Sequence, residues 1–359
     1  MRIDLILEPH GSSERWAELA QLAESYGIGA LWVSNMHDGR DPFINFVDAA
    51  RATSKIKMGP VAISPYELHP LKMGNALLTL NEISKGRAQI GVAAGDGGTA
   101  YAMGKVAKRR LRAVKECVEI IDAISTGELV KYHGEMYEVK WYQSTWVTQS
   151  KPGVFVCAGG PQMLRSSAKY SEGIFLGDHP PDHVAEVREV IDPLIEAHNP
   201  HKDSFCLRNF WAWHVKEDPE EALAESRMWL AARVTPWPAY GHRGILPDEE
   251  MQVIWDNIEA LNRAFYAQDP NIPEIPRDLL DKLCRRCTSA SPLSELDHEI
   301  ERLRQFQDAG LTDIALRLYN NPDEAIRVIG ERVIPALQQS HHNKGVRVKT
   351  CYAKGSLFA

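Results

Sequence analysis

The chain has 359 residues, 44% hydrophobic and 25% charged, ordinary values for a globular protein with a large core. A net charge of -7 and a pI near 6.0 exclude a general nucleic-acid binder, which carries a basic face. No apolar run approaches the roughly 20 residues that cross a membrane, and six scattered cysteines fit a reducing compartment.

Short apolar runs alternate with amphipathic stretches along the chain. Asp4–Glu8 reads as a strand, so no secretory leader is expected, and a cytoplasmic location follows. A helix follows from about Ser13, which can cap it, to Tyr26, and Gly27 and Gly29 end it before a second strand, Ala30–Val33. Asp41 and Pro42 open a helix over 42–53. Lys57–Ile63 is the third strand, followed by a helix from Pro70 to about Ile83. Ala88–Ala93 is the fourth, followed by a long helix from near Tyr101 to Ile124. The basic cluster from Lys105 to Lys115 lies on that helical pattern and reads as a solvated face. Residues 126–152 break the rhythm with Gly127, Gly134 and Pro152, and a short extended piece near Met136–Trp141 suggests a hairpin-like excursion. The alternation resumes with Val154–Cys157, a helix from Pro161, Gly173–Leu176, a helix from Pro181 to His198, Phe205–His214, Ile314–Leu318 and a last helix, Pro322–Leu337.

Strands alternating with helices imply a parallel sheet, and eight such units imply closure. The expected fold is α/β: a single (β/α)8 TIM barrel over residues 1–340, with a helical insertion between strands seven and eight at 215–292. An insertion of that length reads as a substrate-covering element. Trp237, Tyr240, Trp255 and Phe265 within it suggest an aromatic lining, although core helices give the same pattern. Cys284 and Cys287 fall in a helical pattern with Leu279, Leu280 and Leu283 and read as incidental. Residues 341–359 form an irregular tail.

Chemistry in such barrels sits on the loops after the strands. Those positions hold Glu8 and His10, Ser34 to Asp38, Ile63 to Tyr66, Gly95 and Asp96, Gly159 and Gly160, Gly177 to His179, and Trp213 and His214. They contain carboxylates, histidines and glycines but neither a metal triad nor a G-x-S-x-G nucleophile elbow. Cys157 to Leu164 joins a strand to a helix that begins at Pro161. Its glycines admit an anion at unpaired N–H groups, or simply make a tight turn. Gly91 to Gly98 lacks the Walker ending and places Asp96 at the mouth, as acid or base or as a loop cap. His37 and His10 are the alternative proton carriers. Trp211 and Trp213 share one face of their strand, for core packing or as a platform for a flat ligand.

Taken in order, Ala23–Val33, Arg40–Phe43, Lys57–Tyr66 with His69-Pro70, Leu80–Arg87, Gly91–Asp96, Ala158–Pro161, Phe306–Ile314 and Asn321–Ala325 resemble the bacterial-luciferase-like superfamily. They look closest to its coenzyme F-420 (deazaflavin)-dependent oxidoreductases, the branch of methylene-tetrahydromethanopterin reductase. The resemblance implies a cofactor at the barrel mouth and hydride exchange with a small organic substrate. A monooxygenase using flavin mononucleotide (FMN) is the alternative, and a cofactor-binding protein without turnover is a third reading. By position, Asn35, Met36, Val61, Ala62, Ser64, Gly95, Asp96 and Thr99 would hold the cofactor, with Gly159, Gly160, Pro161 and Gln162 at its phosphate. The family's non-prolyl cis peptide would be Val61–Ala62, and its acid after strand four would be Asp96. Many relatives carry Asp-His where this chain has Asn35-Met36, so His37 is the substitute proton carrier. The resemblance also implies a homodimer, and the residues themselves offer no metal triad.

Overall fold

The computed structural model describes residues 1–95, 99, 102–235 and 244–339. Ten strands form in chain order: β1 (Arg2–Leu7), β2 (Ala30–Val33), β3 (Lys57–Ile63), β4 (Gln89–Val92), β5 (Val130–His133), β6 (Glu138–Tyr142), β7 (Gly153–Cys157), β8 (Gly173–Gly177), β9 (Cys206–Ala212) and β10 (Asp313–Arg317). Eight are parallel and close into a barrel in the order β1-β2-β3-β4-β7-β8-β9-β10. β5 and β6 are the antiparallel hairpin expected within 126–152. Closure is made by β1 on β10, with Asp4 opposite Ala315 and Ile6 opposite Arg317.

These strands are short and apolar because both of their faces are covered. Leu5, Leu31, Ile90, Val154, Leu207 and Leu316 face outward onto the helices. Ile6, Ala30, Trp32, Val61, Phe155, Phe175 and Ala315 form a separate cluster inside the barrel. Toward the amino ends of the strands the interior turns ionic. Arg208 Nε lies 3.0 Å from Asp4 Oδ2 and Arg208 Nη2 lies 3.7 Å from Asp313 Oδ2. The Arg208 guanidinium also sits 4.4 Å above the Phe155 ring, and Trp32 Nε1 donates to Asp4 Oδ2 at 3.1 Å. Burial pushes the Asp4 carboxyl above its ordinary value, against the opposing pull of Arg208 and Arg2.

Much of the sequence that carries the family resemblance builds the frame. The Glu24 carboxylate accepts backbone N–H groups from Ser54 (3.0 Å), Lys55 (2.6 Å) and Ile56 (2.8 Å). Burial opposes ionisation there, but these donors outweigh it and hold the carboxyl below its usual range. Arg87 donates to the carbonyls of Ser84, Ile56 and Ala50, each at 2.7 Å, and so staples β3 to β4. Between those strands a Cβ at position 59 would lie 1.7 Å from the Gln89 carbonyl oxygen, so only glycine permits the pairing.

Four local details differ from the sequence expectation. Ser12, not Ser13, caps the first helix, accepting from Arg15 N at 3.2 Å. The helix expected over 42–53 breaks at Phe46 into Pro42–Asn45 and Val47–Ala52. The long helix expected from Tyr101 begins at Arg110, because Gly104 (φ 62°) and Arg109 (φ 55°) are left-handed and interrupt it. The helix expected from Pro161 to Tyr170 ends at Ser167.

The insertion is helical, with Pro219–Met228, Leu230–Val234, Asp248–Asp256, Ile258–Ala267 and Arg277–Cys287 around an apolar cluster of its own. Cys284 and Cys287 are buried free thiols in that cluster, and Trp255 and Phe265 pack against it. Trp237 and Tyr240 lie outside the described residues, as does the tail 341–359.

Candidate active site

The carboxyl ends of the eight barrel strands meet at one mouth, and a guanidinium ties three of them together. Arg317, the last residue of β10, donates Nε to Glu8 Oε1 at 2.8 Å after β1 and bonds Ser34 Oγ after β2. Its guanidinium lies 5.3 Å from the Tyr319 ring and 5.6 Å from the Trp229 ring. Beside it, Asn35 Nδ2 donates to Glu67 Oε2 at 2.7 Å.

The next sector is apolar and crowded. The Val61–Ala62 peptide is cis, as the resemblance implied. A Cβ on neighbouring Gly91 would come within 2.9 Å of Cys157 Sγ and 3.0 Å of a Val61 methyl, so β3, β4 and β7 approach closely here. Gly95, at φ 93°, occupies a left-handed conformation that favours glycine, and a Cβ there would lie 3.0 Å from Ser64 Oγ. Ser64 and Thr99 are buried. The structure thus brings Val61, Ala62, Ser64 and Gly95 together, while Asp96 lies outside the described residues.

Gly160 precedes the helix Pro161–Ser167 with φ -84° and ψ 151°. Its backbone is extended, so what glycine contributes at that position is the missing side chain. Gly159 and Pro161 are half-buried and Gln162 is exposed. Met36 is half-buried, whereas His37 is exposed in the turn that Gly39 N closes on the Met36 carbonyl at 3.1 Å. His10 is exposed too, 3.7 Å from Asp38. Neither histidine joins the polar cluster around Arg317. Trp211 and Trp213 are core residues: Trp211 packs edge-on against Phe306 at 5.0 Å and donates to Ser289 Oγ at 3.0 Å.

Sequence reasoning placed Gly177 to His179 and His214 at the other half of the mouth, where the insertion meets β8, β9 and β10, but missed Glu225, Arg233, Arg317 and Tyr319 there. Glu225 accepts from His214 Nδ1 at 2.7 Å and pairs with Lys216 at 3.1 Å. Burial holds His214 down to about 4 despite that carboxylate, so its imidazole is neutral. The Tyr319 ring stacks on His214 at 4.4 Å, and Tyr319 Oη accepts from Arg233 Nη2 at 2.6 Å. Arg233 Nε lies 3.5 Å from Asp178 Oδ1. Burial pushes the Asp178 carboxyl up to about 6, against Arg233 and Arg317. Among the residues missed, Arg317 alone carried a sequence signal, as a charge inside the apolar run Ile314–Leu318; nothing in the helical pattern around Arg233 marked it.

The mouth has room and polar capacity for a ligand. A Cβ at Gly177 would meet nothing within 4 Å. Asp178 Oδ1 and His214 Nε2 are buried without a hydrogen-bond partner among the described residues, a costly state that a bound molecule relieves. Among the described residues no cluster of three or more His, Cys, Asp or Glu side chains is placed to hold a metal ion.

A closed parallel barrel with its polar side chains gathered at the strand carboxyl ends is the architecture of TIM-barrel enzymes. Within that class the chain belongs to the luciferase-like monooxygenase family, whose model matches residues 4–313. It is 28% identical over 323 residues to 5,10-methylenetetrahydromethanopterin reductase of Archaeoglobus fulgidus, covering 89% of this chain and 94% of the relative. An F-420-dependent glucose-6-phosphate dehydrogenase of Microbacterium testaceum is 23% identical over 94% of this chain and 99% of its own. Among solved structures, the coenzyme F-420-dependent tetrahydromethanopterin reductase of Methanopyrus kandleri superposes with a TM-score of 0.79. It is 21% identical, and the match covers 94% of this chain and all of that one. An FMN-bound Baeyer-Villiger monooxygenase from Pseudomonas putida shares the fold at a TM-score of 0.63 and 17% identity, over 93% of this chain and 98% of its own.

Proposed function

We propose that the protein is a coenzyme F-420-dependent oxidoreductase that moves a hydride between the deazaflavin and a small organic substrate. The observation that carries this reading is the crowded apolar sector at the mouth, where Val61 and Cys157 close on Gly91 beside left-handed Gly95. The nearly full-length likeness to F-420 enzymes supports it. Val61, Ala62, Ser64, Gly95 and Thr99, with Asn35 and Met36 on the neighbouring strand end, would hold the ring, and Gly159 to Gln162 would meet its phosphate. When bound, the deazaflavin supplies the hydride-carrying carbon. The chain's part is to position substrate, exclude water and manage protons. Asp96, in the glycine-rich loop after β4, holds the proton on the cofactor's side, and His37 is the second candidate. We take residues 1–340 as one domain with 215–292 as its substrate cover, in a cytoplasmic protein.

An absorbance titration of the purified protein with F-420 and with FMN tests the reading, because the two oxidised cofactors absorb at different wavelengths. Binding of FMN alone would turn the protein into a monooxygenase candidate. A bound F-420 spectrum that no substrate reduces or oxidises would favour a binder without turnover. In the same titration Gly160→Val is expected to weaken F-420 affinity far beyond any change in melting temperature, since a side chain there stands where the phosphate must approach. Unchanged affinity in a folded variant moves the phosphate elsewhere. We also propose a homodimer, consistent with an Ile44 side chain 73% exposed on the early helix Pro42–Asn45. Light scattering is expected to give twice the 40.3 kDa chain mass, and a stable monomer refutes it.

A further inference from the structure

Hydride exchange between a deazaflavin and a substrate carbon moves two protons, one at the cofactor ring and one at the substrate heteroatom. Resting on the F-420 reading above, we propose that Asp178 is the proton carrier on the substrate's side of the mouth. In the reductive direction the substrate's C=O or C=N carbon accepts the hydride with both electrons. As that π bond breaks, the heteroatom takes the proton from the Asp178 carboxyl, leaving a carboxylate beside Arg233. In the oxidative direction the carboxylate removes the proton instead.

In the eight-strand ring β8 stands diametrically opposite β2, so the residue after β8 lies across the mouth from Ser34, Asn35 and Met36. Met36 cannot carry a proton, and His37 is exposed outside the polar cluster around Arg317. Asp178 follows Gly177, beside which the space is open, and its left-handed backbone (φ 54°) is held by its N–H on the Phe210 carbonyl at 2.9 Å. A left-handed non-glycine residue is uncommon and tends to recur at functional sites.

The Asp178 side chain is only 13% exposed, and its Oδ1 has no hydrogen-bond donor. Arg233 supplies charge from 3.5 Å, while its Nη1 and Nη2 are committed to the Trp229 carbonyl (3.0 Å) and Tyr319 Oη (2.6 Å). The charged and titratable groups around Asp178 are Arg233 and the buried thiol Cys287 from the insertion, Arg317 from β10 with Glu8 behind it, and His179 next in the chain. Burial and His183 push His179 down to about 3, so it stays neutral. The backbone N–H of Ala212 also favours the carboxylate. Burial outweighs these cations and sets the carboxyl at about 6, where it exchanges a proton near neutral pH.

Asp178→Asn tests this in two ways. In cofactor-free protein the comparison is unfolding against pH. A folded-state value raised from the ordinary 3.8 to about 6 means that wild-type stability falls as pH rises between those values. Asparagine mimics the protonated acid, so the variant matches wild type near pH 4 and gains on it up to about a hundredfold in folding equilibrium by pH 7. With F-420 bound, single-turnover hydride exchange is expected to drop roughly 10²–10⁴-fold and lose its pH limb near 6, with F-420 affinity unchanged. Asp178→Glu restores the limb in part, which a merely structural side chain would not do. A flat unfolding difference, or a variant that keeps the wild-type rate and limb, overturns the proposal. Wild-type protein that fails to bind F-420 in the titration overturns the cofactor reading instead, and the unfolding comparison still reports on the Asp178 carboxyl.

Discussion

Asp96→Asn is expected to slow single-turnover hydride exchange by roughly 10²–10⁴-fold, the usual contribution of a positioned acid or base, while F-420 affinity survives. Asparagine keeps the shape of the side chain and removes its exchangeable proton. Asp96 follows directly on left-handed Gly95 in the loop after β4, the strand opposite β10 in the ring. The two carboxylates are separable by their pH profiles. Asp96→Asn should keep the limb near 6 that Asp178→Asn loses. A wild-type rate in Asp96→Asn means that the cofactor-side proton belongs to another group, with His37 the next to test.

The largest effect on stability is expected from Arg208→Leu. Its guanidinium lies buried against Asp4 and Asp313 at the amino end of the barrel interior. Removing one partner of a buried ion pair strands the other charge and costs about 3–5 kcal/mol, measurable as a shift of the urea midpoint. The sign of its pH dependence is fixed. Asp4 already sits above its ordinary value, and without Arg208 it rises further, so the loss is greatest at neutral pH and shrinks as acid protonates Asp4. Asp4→Asn in the Arg208→Leu background should recover part of the loss at neutral pH. A loss below about 1 kcal/mol, the scale of a surface pair, would show that the ring stacking alone holds this layer.

The barrel was legible because its strands are apolar runs of four to seven residues punctuated by Gly, Pro and capping Asp, a local signal that survives in one sequence. Element edges were less so. Gly104 and Arg109 break the helix expected from Tyr101 through backbone conformation, and an arginine in the left-handed region has no sequence signature. The β3–β4 side of the mouth followed from the resemblance, which placed the cis bond at Val61–Ala62. The opposite side did not, because it is made by contacts over long separations: Arg233 reaches Tyr319 across 86 positions, and Asn320 N reaches Glu225 across 95. Such pairs arise when an insertion helix docks on strand ends, and no local period encodes the docking. His37 shows the reverse case. Its position in the chain is one residue past the expected place, and that single step leaves it exposed in a turn.

Arg317 joins the ends of the first, second and last barrel strands through Glu8 and Ser34. The seam where the beginning of the chain meets its end is therefore also a wall of the pocket. As the polypeptide emerges from the ribosome, seven barrel strands and the whole insertion precede β10, yet the mouth lacks that wall until β10 docks on β1. Cofactor capture is accordingly a late event in biosynthesis, and a nascent chain halted before residue 313 should hold no F-420 however well its first half has folded.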